Sequence, residues 1–75
     1  MNKDRRKKIA DVISKFEHVK EMLEDILYEE QDYYDNIPEN LLGSERAENS
    51  EEAIDMMQEA VENIEEAINN LNEVI

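Results

Sequence analysis

Seventy-five residues carry 8 basic and 21 acidic side chains, a formal net charge of −13, and no cysteine or tryptophan. A chain of this length supports one domain, residues 1–75, with a thin core, and without thiols it has no disulfide, thiolate metal site or thiol redox chemistry. One glycine leaves no phosphate-cradling loop, and charged residues recur too often for a signal-peptide apolar segment or the roughly 20-residue span of a membrane helix. A soluble, cytoplasmic protein without a cofactor is the expectation.

The charge is divided along the chain. Through Lys20 there are 7 basic and 3 acidic residues, a net of +4, and from Glu21 onward 1 basic and 18 acidic, a net of −17. Acidity this high with few aromatics can mean disorder, but the apolar periodicity argues against it. From Ile9 the apolar residues fall at 9, 12, 16, 19, 23, 26, 33 and 37, an alternating 3,4 spacing whose only defect is Glu30. Ile13, Leu27 and Tyr34 flank that seam and widen the stripe, as in a helix with more than one neighbour. The pattern predicts a first helix over about 4–35, roughly 48 Å long.

A connecting turn follows over about 36–50. Pro38 suits the start of a new turn, a single helical turn fits 38–42, and Gly43 suits a left-handed terminator. Ser44 and Ser50 are rival N-caps for the next helix. That helix, over about 51–74, is a heptad repeat: Glu51-Glu-Ala-Ile-Asp-Met-Met57, Gln58-Glu-Ala-Val-Glu-Asn-Ile64, Glu65-Glu-Ala-Ile-Asn-Asn-Leu71. Its seam is Ile54, Met57, Val61, Ile64, Ile68, Leu71 and Ile75, with Ala53, Ala60, Ala67 and Val74 alongside.

The fold class expected is all-α, an antiparallel two-helix hairpin resembling a coiled coil. Facing residues whose numbers sum to about 87 align six apolar layers, from Tyr33 with Ile54 to Val12 with Ile75. Glu30 then faces Met57 inside the seam, where an unpaired carboxylate is costly, and Arg46 is the only base after Lys20 able to reach it. The basic run Lys3 to Lys8 extends past the end of helix 2. One buried stripe per helix is little burial for so many ordered residues, which predicts a homodimer forming a four-helix bundle.

No constellation for catalysis emerges. His18 lies at an outward position, Lys15 stands where a Glu-x-x-His di-iron motif needs glutamate, and Asp32 to Glu39 lacks the glycine and spacing of a calcium loop. Ser14, Ser44 and Ser50 have no histidine partner. The expectation is a non-enzyme with no catalytic, cofactor or metal residues.

Binding features remain. Asp11, Glu17, Glu24, Asp25 and Asp32 form one carboxylate ridge, and Glu52, Asp55, Glu59, Glu62, Glu66 and Glu73 another. Eighteen acids over roughly 45 Å is about one per 2.5 Å, against one phosphate per about 1.7 Å of duplex axis. The surface thus has the charge density of a nucleic-acid mimic, or is a solvated face. Tyr28 and Met56 lie off the seam and suit a partner contact. The candidate partner-binding residues are therefore Glu17, Glu24, Asp25, Tyr28, Asp32, Glu52, Met56, Glu59, Glu62 and Glu66. Direct nucleic-acid binding by the basic run is disfavoured, because no aromatic accompanies it and the rest of the chain repels phosphate.

The run Tyr34-Asp-Asn-Ile-Pro-Glu-Asn-Leu-Leu-Gly-Ser-Glu-Arg46, followed by Glu-Glu-Ala-Ile heptads, resembles short acidic proteins encoded by bacteriophages and prophages of Gram-positive bacteria. The likeness covers about residues 28–71 and is most specific over the turn, Asp35 to Arg46. It carries over no functional residue. It implies expression in an infected host's cytoplasm, where small acidic proteins bind and block host or rival-phage machinery.

Overall fold

A computed structural model describes residues 1–75: helix α1 spans Lys3–Asp35, a 3-10 turn spans Glu39–Leu41, and helix α2 spans Glu45–Asn72. The chain is all-helical without strands, and α1 and α2 pack against each other as a hairpin measuring 59 × 15 × 13 Å.

Each helix end has a local cause. The Asn2 side-chain oxygen accepts from the Arg5 amide at 2.8 Å and starts α1. Asn36 ends it, its amide group donating to the Asp32 carbonyl at 2.7 Å. Pro38 caps the 3-10 turn at φ −56°, as its ring dictates. Ser44 Oγ accepts from the Ala47 amide at 3.2 Å, so Ser44 wins over Ser50 and α2 begins about six residues earlier than its heptads alone suggest.

Gly43 does not take the expected left-handed conformation: no residue in the chain has positive φ. The helix-to-helix turn closes instead through short-range bonds, such as the Leu41 amide to the Pro38 carbonyl at 2.8 Å and the Ser44 amide to the Leu41 carbonyl at 3.1 Å. A Cβ added at Gly43 meets nothing within 4 Å. Gly43→Ala is therefore expected to stabilise the protein by about 0.4–1 kcal/mol through the unfolded chain, read as a higher urea midpoint with an unchanged m-value.

The main correction concerns the rotation of α1. Ile13 is buried at 7% exposure, whereas Val12, Val19, Ile26 and Tyr33, the expected seam, are 42, 48, 52 and 37% exposed. The inward row of α1 runs Ile9, Ile13, Phe16, Lys20, Leu23, Leu27, Glu30, Tyr34 and Ile37. This is still a 3,4 alternation, turned by one residue. In α2 the expected seam holds except at its end: Ile54, Val61 and Ile68 are buried and Met57, Ile64 and Leu71 half-buried, but Ile75 lies beyond the helix and is 50% exposed, while Ala47 and Ser50 extend the buried row toward the turn.

Turning α1 also changes the register. Lys20 meets Glu65 and Glu30 meets Ser50, so the pairs that touch have sums of 85 and 80 rather than 87. Glu30 is accordingly not opposite Met57 with Arg46 as its partner. Its Oε2 accepts from the Ser50 hydroxyl at 2.6 Å, a charge-assisted bond that answers the cost of a carboxylate in the seam.

Candidate interaction surfaces

The hairpin has two unlike long sides, and the rotation of α1 creates them. Heptad residues that flank a seam lie on one side or the other, and the grooves of the structure identify which residues meet there. One side holds Glu17, Lys20, Glu21 and Glu24 of α1 with Glu65 and Asn69 of α2. The other holds Val12, Lys15, Phe16 and Val19 along α1, and Tyr33, Asn49 and Ala53 near the turn together with Glu30, Glu45 and Arg46.

On the carboxylate side, the Lys20 ammonium lies 2.9 Å from a Glu65 carboxylate oxygen and is the one cation bridging the two helices. The hydrogen bond to Glu65 holds the Lys20 pKa above its ordinary 10.5; burial opposes this, and the charges of Glu65, Glu24 and Glu17 add to it. A raised pKa means stability that is fully present below the unfolded-state value near 10.5 and is lost as pH rises through the higher folded value. The difference in melting temperature between wild type and Lys20→Gln is therefore expected to stay constant from neutral pH to about pH 10 and shrink above it.

Nine of the ten candidate partner residues, Glu17, Asp25, Tyr28, Asp32, Glu52, Met56, Glu59, Glu62 and Glu66, are exposed, and Glu24 is half-buried beside Lys20. They do not form one patch. Tyr28 stands one helical turn from Glu24, Asp25 and Asp32 and belongs to the carboxylate ridge of α1. Met56 stands one turn from Ala53 and Ala60, toward the other side. Glu52, Glu59 and Glu66 recur every seven residues along the back of α2, with Asp55 and Glu62 on its carboxylate flank.

The apolar row Val12, Val19, Ile26 and Tyr33, whose spacing predicts a hairpin seam, is exposed on this side instead. Met22, 54% exposed, adds to it one turn away from Val19 and Ile26. Across the hairpin lie half-buried Ala53, Ala60 and Ala67, and the next row of α2 is Asn49, Met56, Asn63 and Asn70, which carries no charge. Charge enters this side at Lys15 and, near the turn, at Glu30, Glu45 and Arg46, two of each sign, and between Phe16 and Ile26 the row is apolar.

No three His, Asp or Glu side chains converge as a metal ion would require, and no helix is long and apolar enough to cross a membrane. Neither family models, curated proteins nor solved structures give a match to the chain.

Proposed function

We propose that this chain is a small non-enzymatic interaction protein, encoded by a bacteriophage or prophage and acting in the host cytoplasm. It inhibits or modulates a nucleic-acid-handling or defence protein of the host, and it acts as a homodimer. The observation that supports this reading is segregation: most carboxylates collect on one side and the back of the hairpin, with Tyr28 among them, while the opposite side is apolar between Phe16 and Ile26 and its few groove-lining charges, Lys15, Glu30, Glu45 and Arg46, balance. A surface that served only solubility has no need to be so divided. A cleft shaped for duplex DNA meets here a stiff rod of similar width and comparable charge spacing, and releases counterions on binding it.

The test is capture of a host protein on the immobilised chain. Captured protein should be released by short duplex DNA and by rising salt, and capture should weaken on Glu24→Gln, Asp25→Asn, Glu59→Gln and Glu62→Gln combined. Capture indifferent to all three contradicts the reading. A second reading, an assembly component whose dimer has no host target, is favoured by the neutral side itself and predicts that no host protein is retained.

A further inference from the structure

We propose that a second copy of this chain covers the neutral side of the hairpin, in an antiparallel arrangement that lays helix α1 along α1 of the other copy and sends the two turns to opposite ends. The inference rests on the self-association in the functional reading above, and not on the carboxylate target.

Area is the first argument. The chain exposes 5854 Å², whereas a compact monomer of its 8.9 kDa exposes about 4,800 Å². The excess of about 1,000 Å² matches the roughly 800 Å² per partner that a standard interface covers. The neutral side is where that area is apolar, and a twofold interface needs one self-complementary surface.

Charge selects the occupant and its direction. Residues 1–20 carry +4, while residues 29–52, around the turn, hold 9 acids against Arg46, a net of −8. Aligning two copies with turns together sets −8 against −8; aligning them in opposite senses sets the basic run of each over the acidic turn of the other. Within one chain those charges are badly placed. The basic run stands at the positive N-terminal end of α1, where Asp4 is the one acid of the first turn, and Asp32 and Asp35 stand at its negative C-terminal end, whose last turn holds no base. The ion pairs of the chain are Lys15 with Asp11 and Lys20 with Glu65, so Lys3, Arg5, Arg6, Lys7 and Lys8 engage no carboxylate of their own chain. An antiparallel α1 pair cancels both misplacements.

The row is also symmetric under reversal. Val12 and Tyr33 sum to 45, as do Val19 and Ile26, so the axis that pairs one sets the other in register. It brings Met22 near Met22 of the second copy and Lys15 near Glu29 of the second copy, an ion pair closing the edge. Helix α2, with alanine every seventh residue, then approaches its counterpart closely.

Light scattering on the full chain at tens of micromolar is expected to give twice 8.9 kDa, and Val19→Glu/Ile26→Glu to give half that mass with helicity kept, because both residues are exposed in the single hairpin. Gln31→Glu/Gln58→Glu, on the opposite side, should remain dimeric. Because the chain has no cysteine, a spin label on Asn40→Cys at the turn reports orientation with the interface untouched. Antiparallel copies place the two labels about 50 Å apart, from some 34 residues at 1.5 Å each. A monomeric wild type, or a dimer that survives Val19→Glu/Ile26→Glu, overturns the interface. Labels within about 25 Å overturn the orientation, whatever the capture experiment returns.

Discussion

In the Val19→Glu/Ile26→Glu background, expected to be monomeric, Ile13→Ala and Ile54→Ala should each lower stability by about 2–4 kcal/mol, whereas Val12→Ala costs under about 1 kcal/mol. Ile13 and Ile54 are 7 and 6% exposed and belong to a core of only six buried residues, Ile13, Ala47, Ser50, Ile54, Val61 and Ile68. Truncating either opens a cavity between two helices that have no third layer within the chain to collapse onto it. A small helical protein has only a few kcal/mol in reserve, so the loss approaches the whole of its stability. Urea titrations followed by ellipticity at one fixed concentration make the comparison. A Val12→Ala penalty larger than that of Ile13→Ala would restore the rotation of α1 that the apolar spacing first suggests.

Ser50→Ala is expected to destabilise by about 1–3 kcal/mol, and Glu30→Leu/Ser50→Ala to stabilise the protein relative to wild type by a similar amount. The Ser50 hydroxyl is the donor that Glu30 finds in the seam, at 2.6 Å, and Ser50 itself is 5% exposed. Removing the donor alone leaves a part-buried carboxylate without its hydrogen bond; removing both groups returns the layer to apolar packing. The same titrations read both variants, and a double variant less stable than wild type would show that the pair contributes more than its desolvation costs. The pair also fixes register. Glu30 can meet Ser50 in only one alignment of the helices, so the double variant is expected to gain stability and to lose some uniqueness of pairing, visible as broadened side-chain resonances.

The sequence made the helices, the reversal at Pro38 and the inward row of α2 readable, because in α2 one residue in every three or four is aliphatic and the outer positions are glutamate. It misled in α1 for a physical reason. Helix α1 carries two overlapping apolar rows that share Ile9, Phe16, Leu23 and Ile37. The row completed by Val12, Val19, Ile26 and Tyr33 is the greasier, because both rows contain Glu30 and the true inward row contains Lys20 as well. Apolar spacing therefore selects the wrong one. Lys20 tolerates its place by reaching Glu65 at the rim of the seam, and Glu30 by taking the Ser50 hydroxyl. Neither partner is inferable without the register.

The error at Gly43 has a similar origin. Glycine after a short helical turn commonly adopts positive φ, but here the next helix starts at once from an extended Ser44 and the turn closes without any positive φ. The early start of α2 was hidden because residues 45–50 lack the large aliphatics of the later heptads, although Ala47 and Ser50 are buried. Among the partner-binding residues, the carboxylate ridges were legible from spacing alone. The separation of Met56 from Tyr28 was not, since it depends on which way α1 is turned.

The distance between spin labels at Ala10→Cys and Asn72→Cys, both exposed positions, tests the hairpin most directly when labelled chains are diluted in unlabelled protein so that only pairs within one chain are counted. Packed antiparallel helices lie 8–10 Å apart, and the hairpin predicts a label separation of about 10–25 Å. A separation near 90 Å, the length of 62 residues in one unbroken helix at 1.5 Å per residue, would contradict it.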